Sequence, residues 1–443
     1  EGRHEVSKDA KAASALGVLS GTDVECGGVY KNLPGAVKRG DIKESDIDVS
    51  VKRLLKGRFE LGDFDPDSLV SWTSIPMSVV SSKKHRDLAR EMGREQMVLL
   101  KNNGILPLSP EAKNIMVMGP NATDSTMMWG IYYGQPGHTV TILEGLNART
   151  GRQLPYNRAC AITQMTYRES VFQNITDSKG RQGMEAAYWN NTTMTGEPAA
   201  TTNYTSTIQL DNGGNTVFAP GVNLTNFTTR IKGTYVADRD ETLNMIYNND
   251  DGLRIIINGD TVHERWKTDP LNFREREFKV KKGQKYDIEV NYMQLEDDAT
   301  LNFDILRTRQ VIPADAVAAA KDADTIIFVG GISPAYEREE AKVREPGFDD
   351  GDRTSIELPA PQREILRALH EAGKKIVFIN CSGSAVALTP ENEICDAILQ
   401  AWYPGEQGGH AVADVIFGDY NPSGKLPVTF YKDDSQLPAF DDY

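Results

Sequence analysis

The sequence predicts an α/β protein that carries an inserted all-β sandwich. Residues 84–165 and 313–443 alternate helical and strand patterns. Residues 166–312 are rich in Thr, Asn, Gly, Tyr and Val, in short alternating runs separated by glycine turns, which is typical of antiparallel sheets packed face to face. Because the two flanking stretches share the same alternation of helical and strand patterns, we expect them to form a single α/β domain. The β-rich block would be inserted at an exposed loop of that domain.

The composition is that of a globular protein with more than one domain. The chain has 443 residues, of which 39% are hydrophobic and 25% charged, enough for two or three domains. A net charge of −14 disfavours nucleic acid and anionic membranes as partners. No apolar run approaches the roughly 18 residues that a membrane span needs. Four widely spaced cysteines without a CxxC pair disfavour a zinc site or a disulfide scaffold.

The residues before 84 form a separate helical part. Helical spacing of apolar residues covers 8–20 and 43–58, and we expect Ser45 and Asp46 to cap the second helix. Residues 63–83 contain Gly, Asp and Pro, and their apolar residues have no regular helical or strand spacing, which predicts a linker.

The α/β part contains short apolar strands and amphipathic helices. The first segment has the helix "HRDLAREMGREQ" and the buried strand "NIMVMG". The second has the strands "TIIFVGG", "KIVFINC" and "AILQAW", with the helices "PAPQREILRALHEAG" and "EQGGHAVADVIFGD" between and after them. The turn "CSGSA" after the second of these strands lacks the pattern of a serine nucleophile, and we interpret it as a packing turn.

A loop rich in acids follows the strand that ends at Gly331. An acidic loop is commonly just solvated, but in an open α/β sheet ligands bind beyond the carboxyl ends of the strands. Metal binding is disfavoured, because basic residues interleave with the acids and the spacing differs from a calcium loop. Carboxylates crowded together raise one another's pKa, as a general acid requires. The acids are Glu337, Glu339, Glu340, Glu345, Asp349, Asp350 and Asp352.

Several blocks, in order, resemble family 3 glycoside hydrolases over nearly the whole chain. They include "GTDVECGG", "REQMVLLKNNGILPL", "GGISPAYEREE", "GDRTSIELPAPQ", "INCSGSAVAL" and "AWYPGEQGGHAVADVIFGD". The resemblance implies that 1–62 is the C-terminal end of a (β/α)8 barrel, followed by the linker 63–83. It implies an α/β/α sandwich formed by 84–165 and 313–443. The insertion 166–312 is similar to a PA14 domain, notably in "GMEAAYWNN" and "NNDDGLRIIINGDTVHERW".

The resemblance implies a retaining, exo-acting β-glycosidase that works by double displacement on terminal β-linked sugars. The "GTDVECG" block and the long insertion after "YEREE" favour a β-D-xylosidase, with a β-glucosidase as the alternative. The nucleophile of the family is an Asp that we expect upstream of Glu1, since Asp23 belongs to a different block. The acid/base motif E-x-E-G-x-D-R is matched in its first part by Glu337-Arg-Glu339, and an insertion separates it from Asp352-Arg353. This implies Glu339 as the general acid/base, with Glu337 and Glu340 as alternatives.

Sugar contacts and partners complete the expectations. We predict Tyr336 and Trp266 to bind substrate; Tyr188 and Trp189 are further aromatic candidates, although aromatic residues in a sandwich are more often core. The resemblance implies an oligosaccharide substrate, the N-terminal barrel of the same protein as a partner, no cofactor and no metal. It leaves a homodimer open and implies a secreted or periplasmic location. A non-catalytic carbohydrate-binding protein that uses the PA14-like domain is the rival class.

Overall fold

The computed structural model describes residues 7–134, 136–211, 216–268, 272–337 and 343–439. The predicted acid/base Glu339 and its alternative Glu340 therefore lie outside the described residues. The chain divides into two compact units, Glu1–His85 and Arg86–Tyr443.

The first unit is helical. Its helices are α1 (Ala10–Leu19), α2 (Leu33–Arg39) and α3 (Glu44–Glu60), which enclose a small core of Ala15, Val18, Ala36 and Ile42.

The predicted cap of α3 is wrong, because the helix begins one residue before Ser45. Lys43 stands at the cap, and Asp46 reaches back to accept a hydrogen bond from the Lys43 backbone N–H at 3.1 Å.

A six-stranded sheet organises the second unit. The strand order is β1-β21-β20-β16-β2-β3, and every neighbouring pair is parallel except β1 with β21. The parallel strands end at the same edge, so the loops that follow them converge there. The strands are β1 (Val98–Asn102), β2 (Ile115–Met118), β3 (Tyr156–Asn157), β16 (Thr325–Gly331), β20 (Lys375–Cys381) and β21 (Ala397–Gln400).

Helices cover both faces of this sheet. Successive side chains of a strand point to opposite faces, and both sets are apolar here, so both faces must be covered. In β16, Ile327 and Val329 join one core, which includes α5 and α9, whereas Ile326 and Phe328 join the opposite core, which includes α6 and α7. The result is the α/β/α sandwich, and the predicted α/β class is confirmed. The helices are α4 (Lys83–Gln96), α5 (Ile142–Thr150), α6 (Pro313–Ala319), α7 (Ala360–Glu371), α8 (Thr389–Ile394) and α9 (Gly408–Ile416).

Two antiparallel sheets lie between β3 and α6 in the chain. A five-stranded sheet has the order β13-β10-β15-β4, with β8 beside β15, and a seven-stranded sheet has the order β12-β11-β14-β9-β6-β7, with β5 beside β9. The strands are β4 (Thr166–Ser170), β5 (Ile175–Thr176), β6 (Met184–Trp189), β7 (Ala200–Tyr204), β8 (Ile208–Asp211), β9 (Phe227–Val236), β10 (Glu241–Asn249), β11 (Gly252–Ile257), β12 (Asp260–Arg265), β13 (Asn272–Val280), β14 (Lys285–Gln294) and β15 (Thr300–Gln310).

Both sheets contribute alternate residues to one shared core. Along β10, Leu243, Met245 and Tyr247 are buried, while the residues between them are more exposed. Tyr188 belongs to the same core and has the packing role that sandwich aromatics commonly have. Trp189, the next residue of β6, is buried outside that core, where the Arg230 guanidinium lies 5.4 Å from its ring centroid.

The acid-rich loop contains short strands of its own. Its described portion forms a small three-stranded antiparallel sheet of β17 (Arg344–Glu345), β18 (Phe348–Asp349) and β19 (Asp352–Arg353). Among the described residues, no helix combines the length and apolar character that crossing a membrane requires.

Candidate functional site

The loops after β2, β16, β20 and β21 meet at the carboxyl edge of the parallel sheet. The loop after β16 carries Glu337, and the loops after β20 and β21 carry Ser384 and Tyr403. These three side chains come together although 47 and 66 residues separate Glu337 from its two partners.

Both carboxylate oxygens of Glu337 accept hydrogen bonds. The Ser384 hydroxyl donates to Oε1 at 2.5 Å, and the Tyr403 hydroxyl donates to Oε2 at 3.0 Å. Burial, followed by the negative charge of Glu337, raises the pKa of Tyr403, so its hydroxyl remains a proton-bearing donor.

Arg353 supports this arrangement from the acid-rich loop. Its guanidinium donates to the Ser384 hydroxyl at 3.2 Å and to the Ala385 carbonyl at 2.6 Å. Burial lowers the pKa of Arg353, and the charge of Glu337 opposes that shift. Since an arginine stays charged under either influence, Arg353 places a positive charge beside the carboxylate.

Two glycines allow the loops of this site to pack closely against neighbouring residues. Gly383 lies between Ser382 and Ser384, and a Cβ there would come within 2.8 Å of the Tyr403 ring. Gly331 ends β16 at φ +109°, a conformation that side chains rarely adopt, and a Cβ would lie 2.1 Å from the Cys381 carbonyl.

Buried amides hold the start of the acid-rich loop. Asn121 donates to the carbonyls of Gly330 and Ile332, both at 3.1 Å. Gln362 accepts from the Gly331 N–H at 2.8 Å and donates to the Gly331 carbonyl at 2.7 Å. Both amides are fully buried, so the loop leaves β16 in one defined direction.

A cavity of about 380 Å³ opens beside Glu337. Among the described residues, no three His, Cys, Asp or Glu side chains are grouped closely enough to hold a metal ion. The cavity lining presents the carboxyl group of Glu337, the hydroxyl of Ser384 and the guanidinium of Arg353 to a ligand. The lining residues are Glu337, Gly351, Asp352, Arg353, Ile356, Ser384, Ala385, Tyr431 and Leu437.

The predicted sugar contacts lie in two different places. Tyr336 is half-buried next to Glu337, and its ring lies 5.4 Å from the buried ring of Phe348 in β18. Trp266 follows β12 of the seven-stranded sheet, where the guanidinium of Arg254 lies 4.9 Å from its ring centroid. Asp349 of the acid-rich loop is exposed, as expected for an acid that only contacts solvent.

A second cavity near this edge contains aromatic residues that sequence analysis missed. It measures about 400 Å³ and is formed by the loop after β2, including Tyr132 and Tyr133, together with Ser333 after β16. Tyr132 is 84% exposed and has a positive φ of 56°, so the backbone holds a large ring out into solvent. The only signal in the sequence is the tyrosine pair between glycines in "GIYYG".

Comparisons with known proteins agree with this fold. Residues 97–443 match the model of the glycosyl hydrolase family 3 C-terminal domain. A xylan 1,4-beta-xylosidase of Xylanibacter ruminicola is 44% identical over 99% of this chain and 52% of that protein. A periplasmic beta-glucosidase of Salmonella typhimurium is 26% identical over 99% of this chain and 41% of that protein.

A solved structure shows the same fold. The beta-glucosidase from Kluyveromyces marxianus aligns with a TM-score of 0.64 and 22% identity, over 95% of this chain and 52% of that one. The chain thus spans about half the length of the curated relatives it matches. From the family match over most of its length, the chain belongs to glycoside hydrolase family 3.

Proposed function

We propose that the chain is part of a retaining, exo-acting β-glycosidase that removes terminal β-linked xylose, with terminal glucose as the alternative sugar. The observation that carries the proposal is a loop glutamate, Glu337, held by two hydroxyl donors at the carboxyl edge of the sheet. The 44% identity to a xylan 1,4-beta-xylosidase supports xylose, and the beta-glucosidase relatives support the alternative.

The chemistry requires two carboxyl groups on opposite sides of the anomeric carbon. A glutamic acid gives its proton to the glycosidic oxygen as the C1–O bond breaks, while a carboxylate attacks C1 and forms a glycosyl ester. The glutamate then takes a proton from water, which attacks C1 and releases the sugar and the carboxylate. We propose that the nucleophile is an Asp outside this chain, in a barrel of which 1–62 is the end.

The acid/base is proposed to be one of three loop glutamates. The sequence predicts Glu339, which lies outside the described residues together with Glu340. The contacts of Glu337 with Ser384 and Tyr403, and its place in the 380 Å³ cavity, support Glu337 as the alternative.

Two further proposals concern the inserted domain and the location of the protein. We propose that 166–312 is a PA14-like domain. We also propose that the protein is secreted or periplasmic, which agrees with the Salmonella relative being a periplasmic beta-glucosidase.

The acid/base assignment is tested with Glu337→Gln, Glu339→Gln and Glu340→Gln in the full-length protein. Aryl β-xylosides and β-glucosides with good and poor leaving groups are compared. A poor leaving group needs the proton, so the acid/base variant should lose roughly 100-fold or more in kcat/KM on it and far less on a good one. Azide should restore turnover of the corresponding alanine variant on the good leaving group.

The control is Glu371→Gln, which removes an exposed carboxylate at the end of α7. It should leave both substrates unaffected. If Glu337→Gln shows the selective loss and Glu339→Gln does not, the prediction from the sequence is wrong. If the unsubstituted protein turns over neither sugar, the carbohydrate-binding class replaces the enzyme.

A further inference from the structure

A cleft of about 580 Å³ lies where the α/β sandwich meets the inserted sheets. One wall comes from β3 and the residue after it, Tyr156 to Arg158. The other comes from β4 and the end of β15, with Tyr167, Arg309 and Gln310. Its volume lies within the roughly 300–1,000 Å³ usual for small-molecule sites, which often form between domains.

Arg158 is a cation of this cleft without an ionic partner among the described residues. Its guanidinium lies 4.9 Å from the centroid of the Tyr167 ring, its Nε is buried without a hydrogen-bond partner, and one terminal nitrogen donates to the Arg168 carbonyl at 3.3 Å. Among the described residues, no carboxylate lies within ion-pair distance of Arg158. A buried donor without a partner in a native fold needs an explanation, and a guanidinium fork matches a carboxylate.

The other charges of the cleft are already engaged. Glu169 accepts from Arg309 at 2.7 Å, and Asp315 accepts from the Ile312 backbone N–H at 3.1 Å. Of the two arginines in the lining, Arg309 is paired with Glu169, whereas Arg158 makes no ion pair among the described residues.

The uncharged groups of the cleft suit a sugar. Burial raises the pKa of Tyr156 and of Tyr167, so both hydroxyls keep their protons. Among the described residues, the side-chain NH₂ of Asn157 and the Gln310 amide have no hydrogen-bond partner. Aromatic rings with a few convergent amide and hydroxyl groups are typical of sites for polyhydroxylated ligands.

We propose that this cleft is a second saccharide site, distinct from the Glu337 cavity, that takes a sugar carrying a carboxylate, such as a uronic acid within an oligosaccharide. Arg158 binds the carboxylate through its guanidinium, and Asn157 and Gln310 contact the hydroxyl groups. This inference goes beyond the proposed hydrolysis, because the site binds and performs no bond-breaking step.

The test is calorimetric titration of the chain with an aldobiouronic acid (a uronic acid joined to a neutral pentose), its methyl ester and a neutral disaccharide. The acid should bind saturably, and the ester at least fivefold more weakly, because esterification removes the charge that Arg158 recognises. Arg158→Gln should weaken binding of the acid about tenfold or more. Arg367→Gln removes an equal charge from an exposed position on α7 and should change nothing.

The proposal is overturned if the ester binds as tightly as the acid, or if Arg158→Gln and Arg367→Gln behave alike. Should Arg158→Gln fail to fold, the comparison of acid with ester on the unsubstituted chain decides. None of these titrations involves turnover, so the binding result can be interpreted even if the proposed hydrolysis is wrong.

Discussion

Three side chains from three different loops surround the Glu337 carboxylate at the carboxyl edge of the sheet. Its partners Ser384 and Tyr403 belong to loops after two other strands, and Arg353 reaches the same turn from the acid-rich loop. Sequence analysis predicts Glu339 as the acid/base, with Glu337 and Glu340 as alternatives, and interprets "CSGSA" as a packing turn. The structure adds that Ser384 in this turn donates to the carboxylate.

At the residue scale, Tyr403→Phe tests whether these hydrogen bonds matter. The ring remains while the donor to Oε2 of Glu337 is lost, and a hydrogen bond to a charged group contributes about 1.5–3 kcal/mol. We expect kcat/KM on a poor aryl leaving group to fall about tenfold or more, measured by steady-state kinetics on the full-length protein.

The matched control is Tyr420→Phe, which removes a hydroxyl that donates to the exposed Glu95 at 3.2 Å. Its kinetics should equal those of the unsubstituted protein. Equal kinetics for both variants would show that Tyr403 has no part in the reaction.

At the scale of elements, a buried carboxyl group links β15 to the segments of the two strands that pair with it, β4 and β8. Asp304 in β15 is nearly fully buried and accepts from Ser170 at the end of β4 and from Thr207 just before β8, at 2.7 and 2.6 Å. Burial raises the pKa of Asp304, and these hydrogen bonds oppose the shift only in part.

This raised pKa predicts a pH dependence of stability. A carboxyl group whose pKa is higher in the folded state stabilises the fold below its unfolded pKa, about 3.9. That contribution is lost as the pH rises through the folded pKa. Asp304→Asn cannot ionise and keeps an oxygen acceptor. The free energy of unfolding of the variant should therefore rise relative to the unsubstituted chain as the pH increases from about 4.

The measurement is urea unfolding at a series of pH values, and only the difference between the two chains is used, because other carboxylates contribute equally to both. Asp298→Asn, in the turn before β15, is the control at an exposed carboxylate. A difference that stays constant with pH would contradict the raised pKa of Asp304.

At the scale of the whole molecule, the chain enters and leaves the inserted sheets at one point of the α/β sandwich. The Val311 N–H donates to the Met165 carbonyl at 3.0 Å, so the chain enters and leaves the insertion side by side. The insertion also has its own core, separate from the two cores that flank the parallel sheet. These are the conditions under which a domain can be removed without breaking its host.

We therefore expect a chain in which a short Gly-Ser linker replaces 166–310 to fold cooperatively with intact α/β structure. Circular dichroism should show less strand signal, and thermal unfolding should remain a single transition for the sandwich. The isolated segment 166–310 is the complementary control and should also fold. Aggregation of the deleted chain under conditions where the parent is soluble would show that the two parts depend on each other.

The sequence by itself determined the class of the fold, because strand and helix periods are local and strands buried on both faces have continuous apolar runs such as Ile326–Val329. It also located the acid-rich loop at a strand end, since that needs only the neighbouring residues. Only the tertiary structure brought Ser384 and Tyr403 to Glu337 and Arg158 to Tyr167. The physical reason is that sheet order and the docking of an insertion set distances between residues far apart in the chain, and no local pattern encodes those distances.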